Sequence, residues 1–557
     1  MRLYRLTALH LITLKKAQSK SKAQSKAFMK REKFDAVIIG AGHNGLVTAN
    51  YLAKAGLKVC VLEQRHIVGG AAVSEEFLPG YRNSIASYVV SLLRSEVVND
   101  LQLEKYGYKT IPIENSFYPG LNDDHLLISS DEEENKRQFS KFSSTDYAAL
   151  KEFESIVEKV GDVVKDQWLR EPPRLAGAGI HDLMGYTKMG LRLLKTDADT
   201  RYRMLQLFLG APISTIDRWF SSDKIQAVVA SHCLPANFAS LHQPGASMPM
   251  LHHAVGELDG RKGAWGVVQG GMGTITQAMA RSAEAKGVEI RVNSGVEKII
   301  VERGIAQGVL LKSGEEVRAR VVVANTDPKR TFLTLLGEEH LPASFARDIK
   351  VIRQESASLR MNLALSGLPE FAGMPSKGIS AHHKSAIYII ESKDHVEQAY
   401  RSARNGIPAN PPIVEALIPS TVDDSLTAPG HHVMSLLCKY MPYDLSGGKT
   451  WDEIKVETAE AIINYVSQYI PNLRDILVGY QCLTPVDLER MFGMTRGDIC
   501  HGRLEPDQLF NARPHPDAAQ YATPVPGLYI CGSGSHPGGG VTGAPGYNAA
   551  RRIIKDL

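Results

Sequence analysis

The stretch from Phe34 to Glu63 limits what this 557-residue chain can fold into more than any other. An apolar run of strand length, Ala36 to Ile39, meets glycines at 40, 42 and 45. An Ala- and Leu-rich helical segment follows to Ala55, then Gly56, a second apolar run from Val59 to Leu62, and Glu63. Each part has a task in holding a dinucleotide. Gly40 turns the chain out of the strand, Gly42 lets backbone approach a pyrophosphate, and Gly45 lets helix pack closely on sheet. The helix N-terminus points unpaired N–H groups at the phosphates, and Glu63 is placed to accept from a ribose hydroxyl. A G-x-G-x-x-G is a weak signal by itself. Strand, helix, strand and acid in this order make it a nucleotide site, without choosing between NAD and FAD.

Length leaves room for a large core and more than one domain. No stretch approaches the roughly 18 to 20 uninterrupted apolar residues that a membrane span needs. The net charge of +4 is unevenly spread: residues 1–31 hold nine Lys and Arg and no Asp or Glu, so the remainder carries −5. That balance gives no electrostatic case for nucleic acid. The basic, Ser-containing leader, amphipathic from Leu3 to Leu14, reads as a mitochondrial targeting peptide and places the protein in the matrix. A secretory signal fits less well, because His10 interrupts the apolar segment and Lys15-Lys16 follow it directly. A disordered tail is the third alternative. Cys60, Cys233, Cys438, Cys482, Cys500 and Cys531 include no close pair, hence no disulfide framework, zinc knuckle or C-x-x-C.

Beyond Glu63, Arg65-His-Ile-Val-Gly69-Gly70-Ala71 forms a loop where backbone can again come close to a ligand. The acidic segment 123–134 reads as a solvated loop or edge. The spacing of Leu150, Phe153, Ile156, Val157 and Val160 predicts a long amphipathic helix over about 146–169. Gly270, Gly271 and Gly273 precede a helical stretch, and β-like runs at 288–292, 296–301, 306–311 and 317–324 predict a β-meander. Further strand-like runs fall at 358–364, 386–390 and 432–439. The clearest helix, 451–469, has Thr450 and Glu453 spaced as a capping box. A last short strand, 528–531, runs into a glycine-rich loop and a helix from about Gly546, a second anion or polar-edge site.

Together these blocks resemble the FAD-dependent amine oxidase and phytoene desaturase-like superfamily. The 40–63 unit with Arg65-x-x-x-Gly69-Gly70-Ala71 is similar to its adenosine-diphosphate end. Gly295-Val296-Glu-Lys-Ile is similar to the strand whose valine backbone pairs with adenine, and Ala324-Asn-Thr-Asp-Pro328 to a strand returning to the sheet. His536-Pro-Gly-Gly-Gly-Val-x-Gly-x-Pro-Gly546 closely resembles the desaturase signature around the flavin ring and ribityl chain. The resemblance covers most of the chain from Phe34 onward. It implies an α/β fold: a discontinuous Rossmann-like FAD-binding domain with a β-meander (34–120, 265–340, 520–557). An α+β substrate or cap domain (121–264, 341–519) completes it, behind the leader 1–31. It implies FAD as the cofactor, held by Ile39, Gly40, Ala41, Gly42, His43, Asn44, Gly45, Glu63, Gln64, Gly69, Gly70, Ala71, Val296, Gly532, Gly540 and Val541.

On that resemblance the substrate is oxidised by hydride transfer to the flavin, which oxygen or another acceptor reoxidises. His536 is the catalytic candidate at the reacting face; the alternative is that His536 and Pro537 only shape the loop. Redox disulfide chemistry is not expected, because Cys60 and Cys531 fall inside strands. The pairs His252-His253, His382-His383 and His431-His432 invite a metal reading. Neighbours on a strand face opposite ways and none shows helical i, i+4 partners of the zinc type, so no metal is expected. Arg360 faces the substrate cavity or is a paired charge at the domain seam. The four tryptophans read as core or seam.

The expected function is a mitochondrial FAD-dependent oxidoreductase abstracting hydride from a small, lipophilic substrate at a C–C or C–N bond. Two alternatives stand beside it: an amine-oxidase-like flavin oxidase, and an FAD-stabilised interaction protein regulating mitochondrial function with little catalysis. No transmembrane span is expected, which leaves room for peripheral contact with the inner membrane or a respiratory-chain protein. Substrate identity, electron acceptor and oligomeric state are not indicated.

Overall fold

The computed structural model describes residues 34–557 apart from 123, 176–177 and 235–236. The targeting leader predicted over 1–31 lies outside the described residues. Phe34–Ile39 sits in the middle of a seven-stranded sheet, parallel to Val59–Leu62 on one side and to Glu316–Ala324 on the other. Glu289–Arg291 extends the parallel set at one edge. The long strand Glu316–Ala324 changes partner along its length. Its first half pairs antiparallel with Ile305–Leu311, the centre of the meander, and its second half parallel with Leu528–Ile530. The predicted α/β domain with an attached meander is therefore present.

Strand alternation divides the core in two. Ala36, Ile38, Val59, Val61, Val321 and Val323 face a layer containing the helices His43–Lys54, Gly273–Glu284 and Ala544–Asp556. Val37, Ile39, Cys60, Leu62, Val322 and Ala324 face Phe332, Phe345 and Ile349. Each fully buried Val or Ile contributes about 1.5–3 kcal/mol relative to exposure. Burial on both faces explains why these strands read as unbroken apolar runs.

A second seven-stranded sheet carries the other half of the molecule, in the order Leu477–Leu483, Ser358–Leu365, His432–Lys439, Ile413–Leu417, Ala386–Ile389, Ser116–Tyr118, Leu126–Ile128. One face, with Leu359, Met361, Leu363, Ile387, Val414, Met434 and Leu436, packs on the helix Trp451–Tyr469. The Thr450 amide donates to Glu453 Oε2 at 2.7 Å, as its capping box predicts. The opposite face carries Arg360, Tyr388, Glu415, Leu437 and Lys439.

Three of these strands, Ser116–Tyr118, Ile413–Leu417 and Leu477–Leu483, escape sequence patterning. Ile413–Leu417 follows Pro411-Pro412 and holds a glutamate at its centre; Leu477–Leu483 contains Gly479, where a Cβ would come within 3.0 Å of Leu78. The acidic segment read as loop or edge is partly an edge strand, Leu126–Ile128, with Leu126 and Leu127 buried. It continues into the helix Glu132–Ser140, where Asp131 accepts from the Glu134 amide at 3.0 Å.

Candidate cofactor and active site

The C-terminal ends of Phe34–Ile39 and Val59–Leu62 open into a cavity of about 240 Å³ that reaches the inner face of the second sheet. Of the predicted residues, Ile39, Gly40, Gly42, His43, Glu63, Gln64, Gly70, Ala71, Val296, Gly540 and Val541 line it. Residues about five hundred positions apart in sequence thus share one wall.

The remaining predicted residues stand behind that lining. The Ala41 amide donates to Glu63 Oε2 at 2.9 Å, and the Gly69 amide to the Ala41 carbonyl at 2.9 Å. A Cβ on Gly45 would lie 2.3 Å from the Gly40 carbonyl, so the helix fits against the turn only with glycine there. A Cβ on Gly532 would meet the Asn325 and Thr326 carbonyls at 3.0 Å. Asn44 Nδ2 reaches Ser533 Oγ at 3.4 Å, tying the first glycine turn to the last loop. His536 does not line the cavity. Its Nε2 donates to the Gln167 carbonyl at 2.9 Å, and burial pushes its imidazole down to about 4. It faces a small adjoining void beside Trp168, His252 and Phe510.

The cavity suits a group rich in hydrogen-bonding edges and negative charge. Gly42 caps the helix His43–Lys54, which has no side-chain cap and no acidic residue in its first turn, leaving its first N–H groups for a ligand. Gly42 must also stay bare, since a Cβ would lie 2.9 Å from Asn325 Nδ2. Three polar atoms on lining residues are buried without a partner: His43 Nε2, Arg65 Nη1 and His501 Nδ1. Burial, reinforced by His501, pushes the His43 imidazole down to about 4, so it is neutral at physiological pH. Orphaned donors and acceptors are rare in native interiors and call for a partner.

Sequence reading missed several lining residues. Asn325 sits beneath the turn, with Nδ2 donating to the Gly40 carbonyl at 3.3 Å. Tyr88, His252, His253, Trp265, Glu415, Leu437, Cys500 and Leu504 also contribute to the lining. The one available signal was Glu415, a carboxylate inside an otherwise apolar strand; it accepts from the Tyr88 hydroxyl. His252 donates from Nε2 to the Gly539 carbonyl at 2.7 Å and burial pushes it down to about 3. Among the described residues, no three His, Cys, Asp or Glu side chains gather to hold a metal ion.

The family profile described as FAD dependent oxidoreductase matches residues 234–550, and one described as NAD(P)-binding Rossmann-like domain matches 38–101. Pyridine nucleotide-disulfide oxidoreductase domain-containing protein 2 of Rattus norvegicus is 40% identical over 548 residues, 95% of this chain and 94% of that protein. A limonene dehydrogenase polypeptide of Castellaniella defragrans is 27% identical over 551 residues, 94% of this chain and 95% of that protein. Cyclohexylamine oxidase from Brevibacterium oxydans shares the fold, with a TM-score of 0.56 at 15% identity over 94% of this chain and 99% of its own. All six cysteines of the present chain are buried and no two of them form a disulfide. Cys500, which lines the cavity, has its thiol pushed up to about 12 by burial, so it is no ready thiolate.

Proposed function

The chain belongs to the FAD-dependent oxidoreductase family, and from that premise we propose that it oxidises a lipophilic small molecule by hydride abstraction in the mitochondrion. It is an oxidoreductase and FAD is its cofactor. The observation that carries the finer reading is a single cavity that joins a bare glycine turn to a largely apolar chamber. When bound, FAD supplies the redox chemistry, taking up a hydride and passing its electrons to an acceptor.

This chain's own residues bind, orient and exclude water. Glu63 accepts from a ribose hydroxyl while its carboxylate stays held by the Ala41 and Arg65 amides. The N–H groups at the start of His43–Lys54, with Gly40, Gly42 and Gly70, face the pyrophosphate. Gln64 and Val296 border the adenine end; Gly540 and Val541 border the flavin end. Ala41, Asn44, Gly45, Gly69, Ala71 and Gly532 shape that cradle, and His536 shapes the loop that carries Gly540. Leu92, Trp265, Leu437 and Leu504 offer an apolar chamber in which water is scarce and electrostatic interactions are strong.

Supply of such a substrate from a membrane surface is supported by the helix Ile180–Lys195. It exposes Ile180, Leu183, Leu191 and Leu194 together with Lys188, Arg192 and Lys195, the composition of a helix lying at a lipid interface. The basic leader supports delivery to the matrix, and the inner membrane is then the surface at hand.

Anaerobic mixing of the purified holoprotein with lipophilic alcohols, acids and alkenes tests the reading. Bleaching of the flavin absorbance by one class, reversed when an acceptor is admitted, is the expected result. A flavin that no member of the series bleaches, although dithionite reduces it, would count against turnover.

A further inference from the structure

A two-electron dehydrogenation removes one hydrogen as hydride and another as a proton, so the apolar chamber needs a proton acceptor as well as the cofactor. His253, near the end of the helix Met248–Ala254, has the geometry of one. Side chains on a helix lean toward its N-terminus, and the Nδ1–H of His253 donates to the Pro249 carbonyl, four residues back, at 2.7 Å. A carbonyl only accepts, so Nδ1 carries the proton of the neutral ring and Nε2 keeps its lone pair. Nε2 has no hydrogen-bond partner among the described residues, and it is not sealed: the ring is part-buried and lines the cavity. Trp265, another lining residue, lies beside it with 5.5 Å between ring centroids.

The other histidine, cysteine, tyrosine and carboxylate side chains of the lining are engaged or are poor acceptors. Glu63 is clamped by the Ala41 and Arg65 amides at the ribose end. His43 Nε2 and His501 Nδ1 are buried atoms with no open surface. His252 gives its Nε2–H to the Gly539 carbonyl, and burial pushes its imidazole down to about 3. Cys500 is held as the thiol by burial. Tyr88 gives its hydroxyl to Glu415, whose Oε2 also lies 3.9 Å from Lys439 Nζ, and the Arg360 guanidinium stands 4.5 Å over the Tyr88 ring. Burial lowers the His253 imidazole as well, but its bond to Pro249 and the Glu415 carboxylate oppose the shift.

We propose that the chamber takes a substrate whose oxidised carbon carries a hydroxyl, and that His253 Nε2 accepts that hydroxyl's hydrogen bond and then its proton. The proposal rests on the reading of the cavity as the substrate site of an FAD-dependent oxidoreductase. The carbon–hydrogen bond breaks with its electron pair leaving as hydride to FAD, the O–H proton passes to Nε2, and the pair freed on oxygen closes the C=O bond. The alcohol is oxidised to a carbonyl compound and FAD is reduced. A single O–H matches a single open acceptor. A protonated amine would bring a charge and three donors to a chamber whose Glu415 already faces Lys439 and the Tyr88–Arg360 pair, so the same geometry argues against it. Leu92, Leu437 and Leu504 fit the apolar remainder of the alcohol.

The test uses the flavin-loaded protein and three probes followed by calorimetry: octan-1-ol, its isomer heptyl methyl ether, which lacks the donor, and octylamine. Octan-1-ol should bind with a Kd at least about fivefold below that of the ether, the yield of one neutral hydrogen bond, and below that of octylamine. His253→Leu should bring the alcohol to the level of the ether and leave the ether where it was; a merely structural role would move both. In the anaerobic series an alcohol should bleach the flavin, at least about a hundredfold more slowly in His253→Leu. Equal binding of alcohol and ether, tighter binding of octylamine, an undiminished preference in His253→Leu, or bleaching by acids or alkenes and by no alcohol would overturn the proposal. If His253→Leu does not fold, the three probes on the unaltered protein decide by themselves. Failure of every class to bleach a flavin that dithionite reduces would instead contradict the functional reading, and calorimetry would still score the hydroxyl preference.

Discussion

The Ala41 amide donates to Glu63 Oε2 at 2.9 Å. The acid that ends the second strand is thereby clamped to the glycine turn that ends the first, and its other oxygen is held by the Arg65 amide at 2.9 Å. Glu63 is 5% exposed and lines the cavity, so it reaches a ligand without reorganising. Replacing it by alanine removes both clamps and the acceptor. Glu63→Ala should weaken FAD binding by about 1.5–3 kcal/mol, roughly ten- to a hundredfold. Fluorescence titration of FAD into the stripped protein measures this, and an unchanged Kd would put the ribose elsewhere.

Five histidines, His43, His232, His252, His382 and His536, are pushed down by burial to between about 3 and about 4. Their folded values lie below the unfolded one, so the unfolded chain binds protons that the native chain does not as pH falls from about 6.5 towards 4. Stability is full above that window and drops within it. Burial raises Asp498 to about 6, which acts in the opposite sense but with a single proton. The guanidinium midpoint should therefore fall between pH 7 and pH 5. His382 has no partner on either ring nitrogen and packs against Phe117 and Phe371. His382→Phe should flatten the slope by up to about 1.4 kcal/mol per pH unit; an unaltered slope would mean that His382 titrates normally in the fold.

Arg513, 2% exposed, binds the carbonyls of Cys500, Gly502, Arg503, Gln508 and Ser533. It fastens the segment carrying Cys500, His501 and Leu504 to the loop after Leu528–Ile530. Arg513→Met leaves five carbonyls without that donor and should cost about 3 kcal/mol or more. Denaturant unfolding reads the loss directly. A change below about 1 kcal/mol would show that water or local shifts replace it.

Much of the cofactor end was legible because its determinants are local. Gly40, Gly42, Gly45 and Glu63 fall within one strand–helix–strand unit, and the meander announces itself through Gly304 and Ser313-Gly314. The substrate end was not legible, because register rather than sequence spacing assembles it. Glu415 and Leu437, which both line the cavity, come from two strands and meet only through their register pairing. Asn325 matters because its side chain lies under Gly42, which a strand-end motif does not reveal. His536 shows the reverse case. The glycine loop around it was recognised, but a motif does not state which way a side chain points, and this one points to Gln167.

Removal of residues 1–31 should release the protein from mitochondria while leaving flavin content intact. Fractionation of cells expressing the full and shortened chains checks this. Unchanged mitochondrial import of the shortened chain would show that residues 1–31 do not direct targeting.

The most direct measurement is the visible spectrum of the purified chain beside that of Gly42→Val, with far-ultraviolet circular dichroism of both. Gly42 has a φ of −71°, so valine introduces no left-handed strain; it intrudes on the cavity and on Asn325 Nδ2, 2.9 Å from where a Cβ would sit. One tightly held FAD per folded chain is expected, and a folded Gly42→Val chain without it. A well-folded parent with no flavin band, or a Gly42→Val chain that keeps its flavin, would contradict this expectation.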